Sequence, residues 1–318
     1  MAKKHAYGFV IDPLENFNPE AETTLFFMAE AQARGHRLFA FTLPGLSCET
    51  DSLWGEALEI KVLGVGKRPF YRVLQKKRVR LSDLDALFLR KDPPVDVRFI
   101  QHLYLLERLT GKVFMMNDPR AILAASEKVY PMKFSEFIPE TCITSQWDRA
   151  ARFAGKQKKG VILKPLNGAG GEGIFYARPG DSNLKVAFDF LSQNQSQYVV
   201  CQEYLPEVKR GDKRVLLLGG EILGYFLRIP QPGEHRANLH RGGRLKACSL
   251  TSEEKRISRE VGRVLNEGGM SFVGLDFIGE RLTEVNVTSP MGIREVNQTM
   301  KVKSEKAVID FVESKVLK

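Results

Sequence analysis

The chain has 318 residues and a formal net charge of +10, and 43% of its residues are hydrophobic. Because domains average roughly 150 residues, this length predicts two or three domains of ordinary globular composition. No stretch is apolar for long enough to cross a bilayer. The four cysteines have no CxxC spacing, which argues against a zinc site or a disulfide framework and favours a reducing cytoplasm.

The first third of the chain alternates predicted strands and helices. Its N-terminal apolar run ends at Asp12 and lacks a small-residue cleavage site, so we expect a first strand rather than a signal peptide. A helix stopped by Gly35 follows. The further elements are strands over 37–43, 84–90 and 112–117, a helix over 96–109, and an antiparallel excursion over 57–66.

This alternation predicts a parallel sheet with helices on both faces. Ligands of such sheets bind beyond the carboxyl ends of the strands. Asp12 and the group Arg90, Lys91 and Asp92 lie at such ends. We therefore expect them to line a binding site.

After Asn117 the chain is predicted to be strand-rich, with a closing helix over 304–317. Helical segments over 118–137 and 145–155 come first, separated by a short strand. Residues 230–244 form one long irregular stretch. A loop of that length within a compact domain is more often functional than accidental.

The glycine-rich stretch "VILKPLNGAGGEGIF", residues 161–175, contains the strongest local motif. A Walker A loop or a dinucleotide fingerprint requires a helix after the glycines, whereas here a strand follows. The motif therefore predicts a hairpin whose backbone N–H groups can cover phosphate oxygens, with Lys164 reaching the same phosphates. A mobile surface hairpin is the alternative.

Two further segments end in unusual polar groups. Gln202 and Glu203 precede Tyr204 and Leu205 at the end of an apolar strand, where they could hold an adenine and a ribose. The stretch "LTEVNVTSP", residues 282–290, alternates like a half-buried strand. It pairs with residues 272–278 in a predicted hairpin.

The length of that hairpin loop decides which side chains meet. A three-residue loop, 279–281, places Asp276 opposite Glu284 and Gly274 opposite Asn286, all on one face. We predict this odd-length loop. Two carboxylates and an amide oxygen on one face, together with phosphates, suit Mg²⁺.

The order of these motifs resembles the ATP-grasp fold and, within it, the bacterial glutathione synthetases. The blocks that carry the resemblance run nearly end to end: "VIDP", "LRKDPP", "ILKPLNGAGG", "GDKRVLL", "RIPQPGEHRANLHRGGR", "FVGLDFIG" and "LTEVNVTSPMGIRE". The resemblance implies a ligase that joins γ-glutamylcysteine to glycine with ATP, through an acyl phosphate. Such chemistry needs positioning and charge neutralisation more than a protein nucleophile.

The resemblance also implies residue roles. Arg214 and Arg228 would stabilise the transferring phosphoryl group and the tetrahedral intermediate. Mg²⁺, with Mn²⁺ as a possible substitute, would be bound by Asp276, Glu284 and Asn286. The nucleotide would be bound by Lys128, Lys164, Gly168, Gly170, Gly171, Glu203, Tyr204, Leu205, Asp212 and Lys213. The substrates would be bound by Asp12, Arg90, Lys91, Asp92, Arg236, Asn238, Thr288, Ser289 and Arg294.

The implied architecture is α/β, with an N-terminal Rossmann-like domain (1–118), a central ATP-grasp lid domain (119–200) and a C-terminal antiparallel-sheet catalytic domain (201–318). The stretch 229–244 would be a lid that protects the acyl phosphate from water. The resemblance also implies a homotetramer, so a homo-oligomer is expected. Met291 departs from the threonine more usual in the family.

Two alternatives remain open at this point. Another ATP-grasp ligase would share the nucleotide and metal residues but join a different acid and amine. A nucleic-acid-binding protein would use the basic run 66–80, which contains seven Lys and Arg residues. We interpret that run as a solvated surface insertion on a connector.

Overall fold

The computed structural model describes residues 4–168, 170–234, 237, 239 and 242–316. Within these residues three β-sheets follow one another along the chain. No helix in the described ranges is long and apolar enough to span a membrane.

The first sheet has seven strands in the order β3-β4-β2-β1-β6-β7, with β5 paired to β4. Its parallel part joins β1 to β2 and β6, and β6 to β7. β4 is antiparallel to β2, β3 and β5, as expected for an excursion. The strands are β1 (Ala6–Ile11), β2 (Arg37–Phe41), β3 (Leu46–Glu49), β4 (Ser52–Val62), β5 (Tyr71–Arg80), β6 (Ala86–Arg90) and β7 (Phe114–Met116).

Helices cover both faces of this sheet, as predicted. Phe9 and its neighbours on one face join a core that includes α1 (Thr23–Ala33), whereas Val10 packs in a core with α2 (Val97–Glu107). Alternate residues of β1 therefore pack in cores with two different helices, because successive side chains of a strand point to opposite faces.

The basic run is a strand rather than a connector, contrary to our interpretation. Residues 71–80 form β5, which pairs with β4 along its length and lies at an edge of the sheet. Its side chains are mostly exposed, so the expectation of a solvated surface is confirmed. Successive side chains of β5 point to alternate faces of the sheet. At such an edge, Lys and Arg also discourage pairing with the strands of other chains.

The second sheet is antiparallel, in the order β10-β9-β11-β8. Two helices, α4 (Trp147–Ala154) and α5 (Leu184–Ser192), cover one face. Helix α5 was not predicted, although Leu184, Phe188 and Leu191 have helical spacing. The strands are β8 (Thr141–Thr144), β9 (Val161–Pro165), β10 (Phe175–Ala177) and β11 (Val199–Glu203), and α3 (Pro119–Ala124) precedes them.

The third sheet is also antiparallel, in the order β14-β13-β12-β15-β16. Two of its helices, α6 and α7, were not predicted; α6 begins at a capping box formed by Thr251 and Glu254. The elements are β12 (Asp212–Leu218), β13 (Glu221–Ile229), β14 (Arg244–Lys246), α6 (Ser252–Glu267), β15 (Phe272–Ile278), β16 (Arg281–Asn286), α7 (Ile293–Met300) and α8 (Ser304–Val316).

The β15–β16 hairpin has the predicted pairing but not the predicted loop. Asp276 lies opposite Glu284 and Gly274 opposite Asn286. However, Ile278 pairs with Arg281, so the loop has two residues, and the odd-length prediction is wrong. A β-bulge between Asp276 and Phe277 on one side and residues 282–284 on the other absorbs the extra residue, Thr283.

The first and third sheets share one hydrophobic core. Phe27 on α1 packs edge-on against Phe272 on β15, with ring centroids 5.3 Å apart. The second sheet has its own core. The predicted domain boundaries stay a proposal; β11, which belongs to the second sheet, crosses the proposed boundary between residues 200 and 201.

Candidate active site

A cavity of about 740 Å³ is lined by residues from all three sheets and their loops. It brings together most of the predicted site residues, from parts of the chain up to 200 residues apart. The predicted residues that line it are Asp92, Lys128, Lys164, Gly168, Gly170, Gly171, Glu203, Tyr204, Leu205, Asp212, Arg214, Arg228, Asp276, Glu284, Asn286, Thr288, Ser289 and Arg294.

Two buried arginines, the buried carboxylate of Asp276 and the partly buried carboxylate of Asp212 form the charged centre of the cavity. Arg214 donates from Nε and Nη2 to Asp276 at 2.5 and 2.9 Å. Arg228 lies 3.1 Å from Asp276 and donates to both oxygens of Asp212 at 2.6 Å. The bidentate contact to Asp276 holds the guanidinium plane of Arg214 in a fixed orientation, whereas Arg228 makes its contacts through Nη2 alone.

Burial and the neighbouring arginines shift the pKa values of the two carboxylates in opposite directions. Burial alone would raise the pKa of Asp276, but Arg214 and Arg228 together hold that pKa below its usual range. Burial raises the pKa of Asp212, where Arg228 is the main opposing cation. Asp276 is therefore the more firmly ionised of the two carboxylates.

The metal-ligand candidates project from β15 and β16 on one face. Asn286 Nδ2 lies 3.2 Å from Asp276 Oδ2, and Glu284 accepts from Lys164 at 3.4 Å. Their oxygens are hard donors that suit Mg²⁺ or Mn²⁺. Asp276 already has two cationic partners, and the described residues contain no group of three His, Cys, Asp or Glu suited to a metal.

Lys128 contacts the glycine hairpin between β9 and β10, and Lys164 lies on β9, the strand that leads into it. The hairpin itself is confirmed, because β10 pairs antiparallel to β9 directly after the glycines. Lys128 Nζ donates to the carbonyl of Gly168. Burial lowers the pKa of Lys128, and the neighbouring Lys164 adds to this effect while Glu284 opposes it. Two crowded cations of this kind favour an anionic ligand.

The end of β11 forms the apolar wall of the cavity. Tyr204 stacks obliquely on Tyr176, with ring centroids 4.3 Å apart. Ile162, Val208 and Ile278 line the cavity with Tyr204 and Leu205. An apolar wall bordered by the carboxylate of Glu203 suits a flat heterocycle attached to a sugar.

Arg90 is almost fully buried, at 3% exposure. It donates from Nε to Thr24 at 3.1 Å, and its Nη2 lies 3.8 Å from the sulfur of Met291. Its Nη1 and the hydroxyl of Thr288 have no hydrogen-bond partner among the described residues. Buried polar atoms without partners cost free energy. Thr288 lines the cavity, whereas Arg90 does not.

The other predicted substrate residues occupy varied positions. Lys91 pairs with Asp12 at 3.1 Å, and the backbone N–H of Asp92 donates to Asp12 at 3.0 Å. This places Asp12 and Lys91 beside Asp92, which lines the cavity, although they do not line it themselves. Arg236 and Asn238 lie outside the described residues.

Lys213 was predicted to bind the nucleotide, and the structure places it elsewhere. Its ammonium pairs with Glu254 on α6 at 2.7 Å and donates to the carbonyl of Ser249. The reason is the alternation of β12: Asp212 and Arg214 face the cavity, so the residue between them faces the opposite side of the sheet.

Glu127 lines the cavity but was missed in the sequence. Burial, with the nearby charge of Glu284, raises the pKa of Glu127 to about 7. The only local signal is its place directly before Lys128. Gln202 also lines the cavity, and its amide donates to Thr141 on the neighbouring strand.

Comparisons with known proteins agree with this geometry. The model of the prokaryotic glutathione synthetase N-terminal domain matches residues 6–122, and that of the prokaryotic glutathione synthetase ATP-grasp domain matches residues 127–301. Among curated relatives, the glutathione synthetase of Agrobacterium fabrum is 38% identical over 298 residues, covering 94% of this chain and 93% of that protein. The glutathione synthetase of Escherichia coli K12 is 38% identical over 314 residues, covering 97% and 98%.

Solved structures with low sequence identity share the fold. The D-cycloserine synthetase DcsG superposes with a TM-score of 0.69 at 12% identity, covering 98% of this chain and 99% of that one. The ATP-grasp ligase PsnB, complexed with a minimal precursor, has a TM-score of 0.65 at 16% identity and 99% coverage of both chains. The chain has the ATP-grasp fold and belongs to the prokaryotic glutathione synthetase family.

Proposed function

We propose that this enzyme joins γ-glutamylcysteine to glycine with ATP, giving glutathione, ADP and phosphate through an acyl phosphate. The single observation that carries this proposal is the cavity in which the Arg214–Asp276–Arg228 cluster meets two lysines and an apolar wall. Membership of the family supplies the identity of the acid and the amine.

ATP would bind with its base on the wall formed by Tyr204 and Leu205, and its ribose near Glu203. Lys128 and Lys164 would contact the phosphates, and the hairpin of Gly168, Gly170 and Gly171 would cover them. The backbone of a glycine hairpin can approach phosphate closely because it has no Cβ atoms. Asp212 would support Arg228, whose Nη2 donates to both of its oxygens, rather than touch the nucleotide.

A magnesium or manganese ion held by Asp276, Glu284 and Asn286 would neutralise charge on the transferring phosphoryl group. The chain's own residues supply the remaining stabilisation. Arg214 and Arg228 both contact Asp276, and cations positioned before the substrate binds lower the energy of developing charge without reorganisation. The amine of glycine then displaces phosphate from the activated carboxylate.

The acid substrate would bind toward the first sheet, where Arg90 Nη1 and Thr288 Oγ1 lack partners. Ser289, Arg294 and Asp92 line the cavity, and Asp12 and Lys91 would hold Asp92 in place. Arg236 and Asn238 would complete the site from the stretch 229–244, acting as a lid. Closure over the acyl phosphate would protect it from hydrolysis.

The direct test measures ADP release with matched pairs of acid and amine. We expect turnover with γ-glutamylcysteine and glycine, and little with other pairs such as free glutamate and an amino acid. Turnover that favours a different pair would assign the chain to another ATP-grasp reaction.

A variant pair tests the metal residues. Glu284→Ala should lower kcat by at least about a hundredfold, since electrostatic groups at such sites contribute at that level. Glu280→Ala is the matched control because Glu280 is exposed on the turn of the same hairpin. Full activity of Glu284→Ala would refute the metal assignment.

The basic edge strand β5 is the one observation that favours a nucleic-acid-binding function. That function predicts steeply salt-dependent binding to nonspecific DNA or RNA. Glu284→Ala would leave such binding unchanged while ligase activity disappears.

A cytoplasmic homotetramer is the assembly we propose from the family, and sedimentation equilibrium measures its mass.

A further inference from the structure

Cys142 and Cys201 lie directly opposite each other on neighbouring antiparallel strands. The register pairs Cys201 of β11 with Cys142 of β8. Opposed residues in an antiparallel pair project to the same face of the sheet. Both side chains accordingly join one hydrophobic cluster, under helices α4 and α5. Both cysteines are free thiols.

The backbone hydrogen bonds give the spacing of this pair. The N–H of Glu203 donates to the carbonyl of Glu140 at 2.8 Å, which makes residues 203 and 140 a hydrogen-bonded pair. Pairs alternate along the ladder, so the two cysteines also form a hydrogen-bonded pair, with Cα atoms about 5.5 Å apart. Disulfides most often span about 5.5–6 Å between Cα atoms.

The two thiols differ in access. β8 is the edge strand of its sheet and Cys142 is partly exposed, whereas Cys201 is fully buried. Burial raises the pKa of both thiols, that of Cys201 to about 12, while the nearby Arg149 opposes the rise at Cys142. A small reagent can therefore reach Cys142 first, and its thiolate is the more accessible nucleophile.

We propose that Cys142 and Cys201 are a redox pair that a small-molecule disulfide oxidises to a disulfide joining β8 to β11. The thiolate of Cys142 attacks one sulfur of the reagent RSSR, forming a mixed disulfide and releasing one thiol, RSH. Cys201 then loses its proton and attacks the Cys142 sulfur, releasing the second RSH. The protein loses two hydrogens and the reagent is reduced to two thiols.

The disulfide would alter the cavity wall at the end of β11, where we propose that the nucleotide binds. The next residues on the two strands, Gln202 and Thr141, are hydrogen bonded to each other at 2.9 Å, and Gln202 lines the cavity. A disulfide requires Cβ atoms about 3.8 Å apart, closer than the roughly 4.5–5.5 Å of an antiparallel pair. Drawing the strands together would shift Gln202 and Glu203, and we expect about threefold weaker ADP binding, equivalent to about 0.7 kcal/mol.

The experiment uses full-length Cys48→Ser/Cys248→Ser protein, in which only the proposed pair remains. Treatment with hydroxyethyl disulfide should remove both free thiols and leave no reagent adduct, with a peptide linking residues 142 and 201 after digestion. Adding Cys201→Ala should instead trap the reagent on Cys142, and adding Cys142→Ser should leave Cys201 unmodified. Two unreacted thiols, or a stable adduct on Cys142 with Cys201 present, would overturn the proposal.

The second measurement compares ADP affinity of the oxidised and dithiothreitol-treated protein. The affinity measurement rests on the proposed nucleotide site, whereas detection of the linked peptide does not. A failure of the proposed function can therefore be distinguished from a failure of the redox pair. An unchanged affinity in fully cross-linked protein that binds ADP would overturn the effect on the nucleotide wall. Protein that binds no ADP in either redox state would contradict the proposed function and leave the linked peptide as evidence for the pair.

Discussion

Individual residues of the cavity are held by partners far away in sequence. Arg90 reaches Met291, 201 residues away, and its carbonyl accepts from Ser289, 199 residues away. Met291 stands where threonine was expected from the family resemblance, and its sulfur, a weak acceptor, leaves Arg90 poorly satisfied. The Nη1 of Arg90 has no hydrogen-bond partner among the described residues.

Arg90→Lys should raise the KM for γ-glutamylcysteine about tenfold or more, because a hydrogen bond to a charged group contributes about 1.5–3 kcal/mol. Lysine cannot reproduce the planar guanidinium that holds Thr24 and the substrate together. Steady-state kinetics provide the measurement. Arg98→Lys is the control, since Arg98 is exposed on α2; equal KM values in both variants would contradict the assignment.

Glu127 should make the metal-free protein less stable as the pH rises from about 4.5 to about 7. Its pKa in the folded state is about 7 against a reference of 4.5, so the folded protein binds more protons in this window and loses stability as the pH rises through it. The corresponding contribution is at most about 3 kcal/mol.

Denaturant titrations of Glu127→Gln at several pH values test this expectation. The variant should gain stability relative to the parent at pH 8 and gain little at pH 4, because glutamine stays uncharged. Glu280→Gln, on an exposed turn, should show no such pH dependence. Parallel stability profiles for Glu127→Gln and the parent would rule out the raised pKa.

At the scale of elements, strand parity decides which residues face the cavity. The alternation of β12 was present in the sequence, yet Asp212 and Lys213 were both assigned to the nucleotide although neighbours in a strand point apart. In β16 the alternation was interpreted correctly, but the extra residue lies in a bulge rather than in the loop. A bulge and a longer loop produce the same pairing beyond them, so the sequence pattern could not separate them.

Deletion of Thr283 should therefore preserve the metal-ligand face. Removing the bulged residue leaves Glu284 opposite Asp276 and costs the hydrogen bond from Thr283 Oγ1 to the Asp276 carbonyl, about 1 kcal/mol. Ligase activity should survive. Deletion of Val285 is the contrasting variant, because it turns Asn286 to the other face and should abolish activity. Loss of activity in both folded deletion variants would argue against the bulge as the adjustable position.

At the scale of the whole molecule, the C-terminal helix ties the first sheet to the third. Glu313 on α8 accepts from Arg34 at 2.8 Å and lies 2.7 Å from Nε2 of buried His36. Val308, Ile309 and Val312 of the same helix join the core shared by the two sheets. The arrangement fixes the position of the first sheet, whose β6 is followed by Asp92 in the cavity lining.

Glu313→Gln should lower the free energy of unfolding by about 1–2 kcal/mol, since it removes the charge of a half-buried partner shared by two side chains. Thermal unfolding should show a Tm lower by a few degrees for a protein of this size. Asp310→Asn is the control: Asp310 also contacts Arg34, but its side chain is 67% exposed, and exposed pairs contribute little. Equal losses in the two variants would contradict this difference.

The alternating elements of the first sheet, the glycine hairpin and the carboxylate-amide face of β16 were predictable from the sequence alone. These features depend on periodicity and turn chemistry among near neighbours, which one segment contains in full. Which segments contact each other depends on the tertiary structure. There Glu127 lies near Glu284 and Lys213 pairs with Glu254. Asp276 pairs with two arginines, and Cys142 lies opposite Cys201. Such contacts join residues tens to hundreds of positions apart, and only the packing of the sheets fixes their register and distance.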